Sequence, residues 1–212
     1  MNEYVLEMKG ITKTFPGVVA LDDVSFSVKK GEVHALVGEN GAGKSTLMKI
    51  LNGVYQANDG EIWLNGQQIH LVNIKDAQEK GISIIFQEFN LINTLSVAEN
   101  IFLGRYKGEK VINWPDIKAE ARKLLESLGF QFDVNRAVGK LSTAEKQLVE
   151  IAKALSFNAK LIVMDEPTSS LTKNEEEMLF NIIRTLKKNG ITTIYISHKL
   201  EEVFRICDTV TI

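Results

Sequence analysis

The sequence predicts an α/β fold with a small antiparallel β-subdomain near its start and a helical subdomain inserted midway. Three observations support that class. Residues 33–37, 82–86, 161–164 and 192–196 are short apolar runs dense in β-branched side chains, as buried parallel strands are. Segments with apolar residues at helical spacing lie between them. The first 30 residues instead alternate apolar and polar positions, as half-buried antiparallel strands do.

In chain order, Tyr4, Leu6 and Met8 mark one alternating strand and Val24, Phe26 and Val28 a second, which Lys30-Gly31 ends. After the 33–37 run, Leu47, Met48, Ile50 and Leu51 form a helical face, with Gly53 as its stop. Glu61-Ile62-Trp63-Leu64 followed by Asn65-Gly66 reads as a strand entering a hairpin. Between Gln87 and Ser142 lie 54 residues of helical character. Their clearest helix is 115–128: a proline opens it, Ile117, Ala121, Leu124, Leu125 and Leu128 follow, and Gly129 closes it. Residues 174–189 carry Met178, Leu179, Ile182, Ile183 and Leu186 on one face, with Gly190 beyond. Residues 208–212 read as the start of a further strand, so a shortened chain is expected. No repeat or low-complexity segment is present.

At 212 residues, 44% apolar and 25% charged, the chain can bury the core of one large globular domain. A net charge of −2 gives no support for a nucleic-acid-binding surface. The single cysteine, Cys207, excludes a disulfide framework and reads as a small buried apolar side chain. No apolar run has the length of a membrane span, and the first residues lack the pattern of a signal peptide. The expected location is the cytoplasm, a reducing compartment.

Gly38-Glu39-Asn40-Gly41-Ala42-Gly43-Lys44-Ser45 fits the pattern G-x-x-x-x-G-K-[ST] at every fixed position, and it sits between a strand and a helix. Glycines there let backbone N–H groups turn inward around a polyphosphate, and the helix N-terminus adds positive partial charge. Lys44 is then placed to reach the β- and γ-phosphates and Ser45 to ligate Mg²⁺.

A second cluster follows. Residues 161–164 run into Asp165-Glu166, so a buried strand ends in two carboxylates. Asp165 suits Mg²⁺, and Glu166, one residue on, suits orienting and deprotonating an attacking water. Gln87 follows the strand 82–86; its amide suits Mg²⁺ or the water, although a lone glutamine there is more usually a solvated loop residue. His198 follows the strand 192–197; its imidazole suits a donor to the γ-phosphate, although a lone histidine there more often has a structural role. Ser142 and Glu145 form the capping box S-x-x-E, with Leu148, Ile151, Ala152 and Leu155 on the apolar face behind. A capped helix start is also an anion site, able to address a phosphate held by another domain.

These motifs, ending with Ser169-Ser170-Leu171-Thr172 and His198, stand in an order that resembles the nucleotide-binding domain of ABC transporters over almost the whole chain. Gly38 to Thr46, Phe86-Gln87-Glu88, Val149-Glu150-Ile151-Ala152-Lys153-Ala154-Leu155 and Tyr195-Ile196-Ser197-His198 resemble the first half of ribose/galactose/xylose-type monosaccharide importer ATPases. Those proteins carry a second such domain in the same chain. The resemblance implies a P-loop NTPase core over 1–212, with the helical subdomain at about 88–160. It implies ATP as substrate and Mg²⁺ as cofactor, with Lys44, Gln87, Glu166 and His198 catalytic. Phe15, in isolation a core residue, would stack on adenine. Gly38, Glu39, Asn40, Gly41, Ala42, Gly43, Lys44, Ser45 and Thr46 would hold the phosphates, and Ser45, Gln87 and Asp165 the metal. Ser142, Thr143 and Ala144 would contact ATP bound to a partner domain. The implied partners are the second ATPase domain, membrane permease subunits docked near Phe89, Leu91 and Ile92, and, indirectly, a sugar-binding protein; nucleic acid is not among them. The implied place is the cytoplasmic face of the membrane.

Two departures stand out. The usual signature Leu-Ser-Gly-Gly-Gln is Leu141-Ser142-Thr143-Ala144-Glu145, and the Asp that usually ends the D-loop is Thr172. Both put the composite site that uses this signature in question, and they leave the Lys44 half intact. A nucleic-acid-maintenance ATPase would need a long coiled-coil insert, which 54 residues exclude. A ribosome-binding factor with tandem domains is a second rival, which near-neutral charge and the sugar-importer motifs oppose and ribosome co-sedimentation decides; a non-hydrolysing regulatory domain is a third, and Glu166 speaks against it.

Overall fold

The alternation of the first residues becomes two long antiparallel strands, β1 (Tyr4–Phe15) and β2 (Val18–Lys29), with Leu6 opposite Val28 and Met8 opposite Phe26. Leu6, Met8, Ile11, Phe26 and Val28 are buried. The register shifts at several points along the pair, as it does at bulges and other irregularities. The chain leaves this sheet for β3 (Val33–Leu36) and α1 (Lys44–Leu51). It returns as β4 (Asp59–Leu64) and β5 (Gln67–Ile69), joined through the predicted Asn65-Gly66 turn. The resulting order is β2-β1-β4-β5.

After α2 (Ile74–Glu79) come β6 (Ile82–Ile85), α3 (Val97–Phe102), α4 (Trp114–Ser127) and α5 (Thr143–Ser156). Next are β7 (Leu161–Asp165), α6 (Lys173–Lys188), β8 (Thr192–Ile196), α7 (Leu200–Ile206) and β9 (Thr209–Thr211). The computed structural model describes residues 3–39, 41–105 and 113–212. The expected insert at 88–160 holds α3, α4 and α5.

A second sheet, parallel throughout, has the order β6-β7-β8-β3-β9. Successive side chains of its strands enter different cores. Ile162, Met164, Tyr195 and Ile85 join one with the apolar faces of α3, α4, α5 and α6. Leu161, Val163, Ile194 and Ile196 join another with α1 and the antiparallel sheet. Both faces are covered, which is why these strands read as unbroken apolar runs. Gly53 stops α1 where only glycine fits: its φ is +70°, and an added Cβ would lie 2.5 Å from the Asn73 carbonyl oxygen.

Among the described residues three helices open on reciprocal capping boxes, Ser96/Glu99, Ser142/Glu145 and Thr172/Glu175. The second is the predicted one. The third explains Thr172, whose hydroxyl caps α6 and accepts from the Glu175 N–H. Cys207 is half-buried, and burial pushes its thiol up to about 12.

Candidate functional site

The predicted residues gather at the carboxyl ends of the parallel strands, the edge where open α/β sheets bind ligands. The loop from Gly38 follows β3, Gln87 follows β6, Asp165 ends β7, and His198 follows β8. A cavity of about 720 Å³ is lined by Gly38, Glu39, Gly41, Gly43, Lys44, Ser45 and Thr46, together with Gln87, Asp165, Glu166 and His198. Ala42 is exposed beside that lining. Asn40, expected to hold phosphate, lies outside the described residues.

The loop geometry follows from its glycines. Gly43, the N-cap of α1, has φ +89°, and an added Cβ would lie 2.7 Å from Leu21 Cδ2 and 2.8 Å from the Ala20 carbonyl oxygen. No other residue type fits there without displacing the hairpin. Lys44 Nζ donates to the carbonyl oxygens of Gly38 and Glu39 at 2.6 and 2.8 Å, so the ammonium is held over the loop mouth.

Glu166 and His198 meet: Glu166 Oε1 and His198 Nδ1 are 2.9 Å apart. Glu166 has φ +45°, a left-handed conformation that residues other than glycine seldom adopt, and its side chain lines the cavity. Its N–H donates to the Ile196 carbonyl oxygen at 3.0 Å, which locks the end of β7 to β8. Burial raises the Asp165 carboxyl above its ordinary range, and the Glu166 charge beside it adds to this; Lys44 and Lys49 pull it back.

The donor set at this edge suits Mg²⁺. The Ser45 hydroxyl, the Gln87 amide and the Asp165 carboxylate all line one cavity and are hard oxygen donors. Among the described residues no group of three or more His, Cys, Asp or Glu side chains converges on a metal position. An ion here would therefore rest on few protein oxygens and on phosphate, the usual manner for Mg²⁺.

The structure does not bring every predicted residue to the cavity. Phe15 is half-buried at the end of β1, outside the lining; its ring meets Tyr55 edge-on at 5.3 Å, and Lys13 Nζ sits 5.2 Å from its centre. Val18 and Val19, about 60% exposed, line the mouth instead. Sequence reading missed them, because valines in an alternating strand signal core. Ser142, Thr143 and Ala144 also lie outside the lining. Ser142 is exposed and Ala144 buried, while Glu145 accepts from the Ser142 N–H and pairs with Arg136 at 2.9 Å. Of the proposed docking residues, Ile92 is exposed, Leu91 is partly buried against the helical core, and Phe89 is half-buried.

A family model described as ABC transporter matches residues 21–169. The chain belongs to the ABC transporter family. It is 53% identical, over its whole length, to the xylose import ATP-binding protein XylG of Geobacillus kaustophilus, and covers 43% of that relative. It is 54% identical, again over its whole length, to the galactose/methyl galactoside import ATP-binding protein MglA of Clostridium tetani, and covers 43% of it. The chain thus spans less than half the length of these ABC relatives. The ADP conformation of MJ1267, an ATP-binding cassette of an ABC transporter, superposes with a TM-score of 0.88 at 32% identity, over 99% of this chain and 88% of that one. Among the described residues no helix is long and apolar enough to cross a membrane.

Proposed function

We propose that this chain is the first of two nucleotide-binding domains of an ATP-binding subunit that hydrolyses MgATP to drive monosaccharide import through separate membrane subunits. The observation that carries this reading is the convergence of Lys44, Ser45, Gln87, Asp165, Glu166 and His198 on one cavity at the strand ends. The names of the relatives, import ATP-binding proteins for xylose and galactose, support the sugar class.

In this reading the loop N–H groups and Lys44 hold the β- and γ-phosphates, and Phe15 stacks on the adenine. Ser45, Asp165 and Gln87 would hold Mg²⁺, which would supply charge neutralisation at the phosphoryl oxygens. Glu166 takes a proton from the attacking water, and His198, 2.9 Å away, holds that carboxylate and donates to the γ-phosphate. Gln87 relays the presence of the γ-phosphate to residues 89–92, where the membrane subunits dock. Ser142, Thr143 and Ala144 face the nucleotide of the partner domain. The protein then works at the cytoplasmic face of the membrane, with a sugar-binding protein supplying substrate from the other side.

Reconstitution in vesicles tests this. The full-length protein with the membrane subunits that co-purify with it should take up labelled xylose, arabinose, galactose or ribose only with ATP inside, and Glu166→Gln should abolish uptake. ATP-independent uptake, or none of any monosaccharide, contradicts the reading.

A further inference from the structure

Behind the cavity lies a buried carboxylate that the proposed chemistry does not use. Glu202, in the first turn of α7, is 3% exposed. Four side chains donate to it. Tyr195 Oη and Ser197 Oγ reach Oε2 at 2.6 and 3.2 Å, and Thr168 Oγ1 and Lys199 Nζ reach Oε1 at 2.7 and 2.9 Å. Lys199 Nζ also lies 3.3 Å from Thr168 Oγ1.

The donors come from the two segments that present the catalytic pair. Ser197 and Lys199 flank His198, and Thr168 stands two residues after Glu166. We infer that Glu202 is a positioning residue that sets the separation of Glu166 and His198 by clamping both of their loops to β8. The inference rests on the hydrolytic reading of that pair.

Three features argue for a clamp beyond a helix anchor. First, both carboxylate oxygens are used, one facing β8 and one facing the Glu166 loop, so the group bridges. Second, only an ionised carboxylate accepts from all four donors at once; a glutamine would turn an NH₂ toward one pair of them. Third, Glu166 stands in a left-handed conformation, which surrounding contacts must enforce, and Thr168 is the buried hydroxyl next along that loop. Burial pushes the Glu202 carboxyl up, but the hydrogen bonds from Tyr195, Thr168 and Lys199 and the Lys199 charge outweigh it, so the carboxyl lies below its ordinary range.

The test uses Thr168→Val, Thr168→Ser and Glu202→Gln in the full-length protein. A misplaced catalytic pair loses rate with little loss of substrate binding. Thr168→Val and Glu202→Gln should therefore lower kcat about 10- to 100-fold with the KM for ATP within about twofold, and Thr168→Ser should restore kcat. A kcat unchanged in both variants, or a valine loss that serine does not restore, overturns the inference. If the parent protein itself hydrolyses no ATP, the hydrolytic reading fails separately. The crystal structure of Thr168→Val then decides: opening of the Glu166–His198 contact beyond about 3.5 Å upholds the clamp, and retention near 2.9 Å overturns it.

Discussion

The loop end of α1 and the start of α5 are both helix N-termini proposed to meet phosphate, yet they are finished differently. At α1 the cap is Gly43, with no side-chain hydrogen bond, and the N–H groups beside it face an open cavity. At α5 the chain satisfies itself: Ser142 and Glu145 cap each other, Arg136 pairs with Glu145, and Ala144 is buried. An orphan N–H left open can take a phosphate, whereas one capped by its own chain must give up a bond first. If both starts take phosphate, as proposed, the Lys44 half needs only a ligand, while the signature half needs both a ligand and a rearrangement.

The largest test of the first half is Glu166→Gln in the full-length protein. Turnover should fall about 10²- to 10⁴-fold, the size of a general-base effect, with ATP still bound. Steady-state phosphate release checks it, and unchanged turnover removes Glu166 from its role. Next comes the adenine end. Phe15→Ala should weaken ATP binding by about 1–3 kcal/mol if the ring stacks as bases do on aromatics. Calorimetric titration checks it; equal affinity would shift the base toward Val18 and Val19 at the cavity mouth.

The signature helix carries a cost of its own. Glu150 on α5 is 6% exposed, and its Oε1 has no hydrogen-bond partner among the described residues. Burial raises its carboxyl above the ordinary 4.5, against Lys153 and the Asn90 N–H. A raised acid favours the folded state below the unfolded pKa, and that contribution is lost as pH rises through the folded value. Glu150→Gln should thus raise stability by about 1–2 kcal/mol near pH 7 and change it little near pH 4. Thermal melts at the two pH values check this, and no gain at pH 7 would contradict it.

The smallest effect sharpens the comparison itself. In a Glu166→Gln background, Ala144→Gly should increase ATP-dependent pairing of the isolated chain, despite up to about 1 kcal/mol of lost helix propensity. Light scattering with MgATP would report it. A stable ATP dimer from the unaltered signature would show that this signature is not the weaker half.

Much of this was legible in the residues. The parallel strands declared themselves because burial on both faces removes polar positions, and the loop because its glycines, lysine and serine have fixed spacing. The Ser142/Glu145 box was legible for the same reason; the equivalent boxes at Ser96/Glu99 and Thr172/Glu175 obey the same spacing and were overlooked. Other features had no local signal. α3 is six residues long, too short for a periodic pattern. The Phe15–Tyr55 contact and the Glu202 clamp join residues 40 and 34 positions apart, which only the fold brings together.

The most direct test of the central claim, that the Lys44 half is a complete MgATP site on a single chain, is calorimetric titration of the chain with ATP and Mg²⁺. The account predicts one ATP per chain and, in Lys44→Ala, a loss of about 1.5–3 kcal/mol of binding, the worth of a charge-assisted hydrogen bond. No binding by the parent chain, or equal binding by Lys44→Ala, would contradict it.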